Sequence, residues 1–189
     1  MLGVRCVAYS ISRAQGSFSR FSTSVNLRDN RAFIFESTGT PSTVVHAVSY
    51  PSLSDPAPNT VNVKYLLSPI NPSDINRIDG FHLYPRKSST ITLGEHSDVF
   101  VAGSEGLAEI TAVGNGVKGI KKGDRVVMLK EQSGTWRSQA NVQVDDILQI
   151  PEGASEVGAA TITVNLQTAL VVWSFIIEVF STDKSAYSV

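Results

Sequence analysis

Cysteine is almost absent from this chain: Cys6 is the only one in 189 residues. A lone thiol cannot form a disulfide framework. Histidine is scarce as well, with His46, His82 and His96 scattered and no pair at the helical spacing of metal ligands. A tetrahedral zinc site of the usual nitrogen and sulfur ligands cannot be assembled from that inventory. Nor is there an excess of one charge, since 16 basic residues face 17 acidic ones. That removes the general electrostatic case for a nucleic-acid partner. Internal repeats and low-complexity segments are missing too. A chain of this length holds one compact domain with a sizeable core, and two full domains would be tight.

The charge balance hides an asymmetry. Residues 1–28 carry four arginines, Arg5, Arg13, Arg20 and Arg28, with many serines and no acid. This is the composition of a mitochondrial transit peptide, and the continuous apolar block of a secretory signal is lacking. Arg20-Phe21-Ser22 is a reasonable processing site. Cleavage there would remove Cys6 and leave no cysteine nucleophile. At the other end, residues 157–177 are uncharged, close to a membrane span of about 20 residues. Thr161, Thr163, Asn165, Gln167, Thr168 and Ser174 dilute the run, which favours a buried or aggregation-prone helix over a membrane span.

Between these ends the chain reads as mainly β. Strands are expected at 31–35, 42–50, 60–68, 99–113, 125–129, 139–144 and 147–150, from β-branched runs and alternation. The strand at 60–68 places Val61, Val63 and Tyr65 on one face. The one at 99–113 is broken near Gly103 and Gly106, where a bulge or a close backbone approach is expected. Residues 37–41 are turn chemistry, 51–59 a proline-rich surface loop, and 88–98 a polar loop without a period. Ser155 is a good N-cap for a helix over 156–170. Gly114-Asn115-Gly116-Val117-Lys118-Gly119 matches G-x-G-x-x-G, but a strand and not a helix follows. The pyrophosphate mechanism needs the helix, so this is read as a hairpin loop.

The densest local signals lie in Pro69–Pro85, PINPSDINRIDGFHLYP. Asn71 is an N-cap, Pro72 occupies the first helical position and Asp74 the third, and Gly80 supplies a left-handed stop. A helix over 72–79 then leads into a loop that presents Tyr84 just before a proline. From the residues alone that tyrosine either packs or is held over a substrate.

The ordered set Asn71-Pro72-Ser73-Asp74-Ile75-Asn76, Gly80, Tyr84-Pro85, Gly103-Ser104-Glu105-Gly106, Gly123-Asp124-Arg125-Val126, Gly134-Thr135-Trp136 and Val164-Asn165 resembles the mitochondrial trans-2-enoyl-thioester reductases. These belong to the zinc-free part of the medium-chain dehydrogenase/reductase superfamily. The resemblance covers roughly residues 30–168 and then stops. It implies a GroES-like, partly open β-barrel over residues 29–155, followed over 156–189 by a helix and a divergent apolar tail. In the family that helix leads into a Rossmann domain, which is expected to be absent here through truncation, a retained intron or a faulty gene assembly.

The implied activity is NADPH-dependent reduction of enoyl thioesters on acyl carrier protein or CoA in the mitochondrial matrix, by a homodimer in the family. Tyr84 matches the catalytic tyrosine, Asn165 an asparagine that contacts the cofactor, and Trp136 a residue near the substrate pocket. Core packing is an equal reading for Trp136. Leu166 departs from the family's usual proline, and the Gly80–Tyr84 spacing also differs. Ser104 stands where zinc-type relatives carry histidine, so no metal is expected, and Glu105 is read as pairing with a basic group. Two other readings are a non-catalytic barrel that binds acyl thioesters or a partner, and a quinone-type oxidoreductase of the same superfamily.

Overall fold

The computed structural model describes residues 30–81 and 90–182, with side chains placed as far as residue 178. The proposed transit peptide, Tyr84 and His82 lie outside the described residues. Among the described residues nine strands form two antiparallel sheets. The smaller has the order β2 (His46–Tyr50), β1 (Asn30–Phe35), β5 (His96–Val101), β4 (Ile91–Leu93). The larger has the order β8 (Gln139–Gln143), β3 (Thr60–Leu67), β6 (Leu107–Val113), β7 (Arg125–Met128), β9 (Ile147–Gln149). An isolated bridge joins Ala32 to Arg137, and Phe33 N donates to Trp136 O at 2.9 Å. The expected partly open barrel is thus two sheets stitched along one seam, and it is not closed.

Burial explains the strand patterns. Val61 and Val63 of β3 pack with Ala108, Ile110, Val126, Met128 and Ala140 in one cluster. Leu107 points to the opposite face of β6 and meets Val127, Ala159 and Ala160. Both faces of β6 are therefore partly covered, which is why apolar residues stand on both faces of the strand and only Glu109 and Thr111 interrupt them. A separate cluster of Ala32, Ile34, Tyr50, Leu93 and Val99 holds the smaller sheet.

Four sequence expectations need correction. The strand expected over 42–50 begins as a helical turn, α1 (Pro41–Val44), because proline at the first position presets a helical φ. The single strand expected at 99–113 is two strands in different sheets. Residues 102–106 are the buried crossing between them, and Gly103 there has φ +91°. The polar loop at 88–98 contains the β4–β5 hairpin, too short for a period to show. Finally, the helix at 156–170 is divided. After α3 (Glu156–Ala160) a π-helical turn spans Ile162–Leu166, and α4 (Gln167–Thr182) follows. Ser155 does cap the first piece, accepting from Gly158 N at 3.2 Å. Much of α4 is exposed rather than buried, including Leu170, Val172, Trp173 and Phe175. No helix of the described residues is long and apolar enough to cross a membrane.

Candidate active site

Helix α2 (Pro72–Asp79) sits where its caps place it. Asn71 holds extended backbone angles, the Asp74 carboxylate accepts the Asn71 amide at 3.0 Å, and Gly80 takes a left-handed φ of 79°. The reciprocal cap fixes the helix start, so Asn71 and Asp74 are both buried yet bonded.

From there a polar network crosses the fold. The Asn71 Nδ2 donates to Glu105 Oε1 at 2.9 Å. The other oxygen of Glu105 accepts from Val164 N at 2.8 Å and from the Thr163 hydroxyl at 3.2 Å. Asn71 Oδ1 accepts from Asn165 Nδ2 at 2.7 Å, closing a ring of Asn71, Glu105 and the 163–165 turn. On the far side of α2 the Ser104 hydroxyl donates to Asp74 Oδ1 at 2.6 Å and accepts from Arg77. Thr135 Oγ1 donates to the Glu105 carbonyl at 2.7 Å. Four stretches far apart in sequence, 71–77, 104–105, Thr135 and 163–165, therefore converge in one network. Glu105 is fully buried and bonded to neutral groups, which corrects its expected pairing with a base. The basic residue, Arg77, bonds to its neighbour Ser104 instead.

Among the sequence candidates, Asn165 lies on this network, exposed, with its Nδ2 held by Asn71. Its Oδ1 stays available as an acceptor. Trp136 lies a short way off, its Nε1 donating to Pro69 O at 3.0 Å and its ring against Gly103. It packs beside Phe35, Ile78 and Ala102 and also walls a cleft of about 610 Å³ lined by Phe33, Leu67, Ile70 and Ile78. Core packing and a pocket wall are both present in that one ring. Sequence reasoning passed over Arg77, Thr135 and Thr163. Arg77 was findable, because it lies three residues after Asp74 on the same helical face.

A nicotinamide cofactor is the group that the resemblance implies. The exposed amide of Asn165 fits the polar edge of its carboxamide ring. The described residues do not fit its pyrophosphate. The Gly114–Gly119 loop is a turn that leads to β7, as expected, and presents no helix N-terminus.

The alcohol dehydrogenase GroES-like domain family matches residues 57–172. The mitochondrial enoyl-[acyl-carrier-protein] reductase of Yarrowia lipolytica is 37% identical over 165 residues, 85% of this chain and 43% of that protein. Among solved structures, an Etr1p complex with NADP and crotonyl-CoA aligns with a TM-score of 0.66 at 35% identity. It covers 72% of this chain and 41% of the other. The mitochondrial 2-enoyl thioester reductase Etr1p/Etr2p heterodimer from Candida tropicalis gives the same values. The chain spans well under half the length of these relatives. On the matched residues and the fold they form, the chain belongs to the alcohol dehydrogenase GroES-like domain family of the medium-chain dehydrogenase/reductase superfamily.

Proposed function

We propose that this chain is the catalytic-domain portion of an NADPH-dependent reductase of trans-2-enoyl thioesters, carried on acyl carrier protein or CoA, acting in the mitochondrial matrix. The observation that carries the reading is the convergence of Asn71, Glu105 and Asn165 in one network. These residues come from three of the stretches that resemble enoyl reductases, and together they hold one exposed amide, Asn165, on Asn71, the residue that follows Ile70 of the apolar cleft.

In this reading the Asn71–Glu105 pair orients Asn165 toward the cofactor, and Trp136 walls the acyl site. Tyr84 donates the proton that C2 of the enoyl group takes up as its thioester oxygen loses negative charge. When bound, the reduced nicotinamide supplies the hydride for C3. The products are the saturated thioester and the oxidised cofactor.

The test is NADPH oxidation with crotonyl-CoA by the product of the full transcript, sequenced through the Asn165 codon. Turnover that falls by about 10²–10⁴ in Tyr84→Phe, with KM little changed, is expected for a lost general acid. Reduction of quinones but not of crotonyl-CoA would move the chain to the quinone reductases. Binding of the thioester without oxidation of NADPH would make it a binding module.

A further inference from the structure

The described residues include four arginines, Arg31, Arg77, Arg125 and Arg137. Arg77 lies 3.9 Å from Glu131, and Arg125 pairs with Glu156. Among the described residues Arg31 and Arg137 pair with no carboxylate, and these two line the apolar cleft beside Trp136. The lining includes no acid at all. A second cleft, of about 640 Å³, mixes Lys121, Arg125, Glu152 and Glu156 and has its arginine paired. The unbalanced positive charge thus belongs to the apolar cleft.

Two more observations point the same way. Tyr65 Oη and Arg137 Nε are buried atoms of that lining, and Arg137 acts on the Tyr65 phenol through its charge and a side-chain hydrogen bond, which holds the guanidinium at the cleft wall. The apolar walls, meanwhile, face water: Phe33 is 50% exposed and Ile70 70%. The volume is that of a small-molecule site, which runs to about 300–1,000 Å³.

We propose that this cleft binds a medium-length alkyl or acyl chain ending in a single anionic group. Phe33, Leu67, Ile70 and Trp136 take the chain, and Arg31 and Arg137 take the head. A carboxylate suits a planar guanidinium, which donates two parallel hydrogen bonds to it. A monoalkyl phosphate shares that chemistry. Free fatty acids are then ligands in their own right and competitors of any acyl group that enters the same cleft. The proposal shares with the reductase reading only the acyl chain beside Trp136. It is tested without nicotinamide, so either can fail while the other stands.

The chain has two tryptophans, so Trp173→Phe leaves Trp136 as the only fluorophore of its kind. In that background the full chain is titrated with decanoate, decyl phosphate and decanol. Decanoate or decyl phosphate should bind roughly tenfold tighter than decanol, and Arg31→Gln with Arg137→Gln should abolish that margin. Ile70→Glu should weaken all three ligands. Whichever anion binds tighter identifies the head group. Arg31→Gln alone, at an exposed position, guards against misfolding of the double variant and should remove part of the preference. Equal affinity for decanol and decanoate, insensitivity to both arginines, or no fluorescence response to any ligand would overturn the proposal.

Discussion

Two tyrosines show how much a single hydroxyl's surroundings decide. Tyr50 Oη donates to Gln139 O at 2.6 Å and accepts from Gln139 N at 2.9 Å, tying the small sheet to β8. Tyr65 Oη is buried with the Arg137 side chain acting on it, through charge and one hydrogen bond. Tyr50→Phe, which removes two hydrogen bonds, should therefore lose about 1–2 kcal/mol in urea unfolding, and Tyr65→Phe, which removes one, should lose less, about 0.5–1 kcal/mol. Equal losses would mean that the Arg137 contact holds Tyr65 as firmly as the two Gln139 bonds hold Tyr50. Burial is the main cause that lifts both phenols above their ordinary value of 10.0. In each it is partly opposed, by the Gln139 backbone for Tyr50, by the Arg137 charge for both, and by an Arg137 hydrogen bond for Tyr65. A raised acid holds its proton in the folded state after the unfolded chain has released it. That contribution is complete below the unfolded value and is lost as pH rises through the folded ones. Stability should fall from about pH 10 upward, and less steeply in Tyr65→Phe. Glu105 is the opposite kind of residue. It accepts three neutral donors, so Glu105→Gln turns one acceptor into a donor facing them and should cost about 3 kcal/mol. Thr163→Val, which removes one of those donors, should cost about 1 kcal/mol. Asn71, Asp74 and Gly80 were legible because capping is local. The partners of Glu105 were not, since they lie at Asn71 and at 163–164, distances along the chain that no local pattern encodes.

Elements were legible in proportion to how much of their stabilisation is local. Helix α2 matches its sequence boundaries because caps at both ends specify it. Strand β3 was legible from its β-branched alternation. The run from 96 to 113 was read as one strand after a loop, although the glycines at its middle were noticed. What they do is tertiary. A Cβ on Gly103 would lie 2.3 Å from Trp136 Cδ1, so the chain leaves one sheet and enters the other where only glycine clears the indole. The helix after Ser155 was also overextended, because the π-helical turn at 162–166 brings Thr163 and Val164 onto Glu105, and propensity carries no trace of that. Its cap can be tested on its own. Ser155→Ala should cost about 1 kcal/mol of local helix stability. Amide exchange should accelerate at Ala159–Thr161 while β3 and β6 keep their protection. Uniform acceleration across the sheets would show that α3 unfolds only with the whole body.

For the molecule as a whole, the two sheets are well buried and the C-terminal helix is not. α4 spans 16 residues, about 24 Å at 1.5 Å per residue, short of a hydrocarbon core of about 30 Å. Leu170, Val171, Val172, Trp173 and Phe175 are exposed on it, pointing in several directions around the axis. A helix apolar on most of its circumference is ordinarily covered, and contiguous exposed apolar surface drives association. The full chain should therefore show concentration-dependent sedimentation above the monomer mass. Val172→Lys with Ile176→Lys, one turn apart on the same face, should raise the monomer fraction. Neither residue lines the cleft beside Trp136, so the double variant should bind decanoate as the parent does. A parent chain that stays monomeric across the concentration range would show that the exposed apolar face of α4 does not drive association. Decanoate affinity that changes with the lysines would instead mean that association itself shapes the cleft, joining two surfaces that the fold keeps on separate elements.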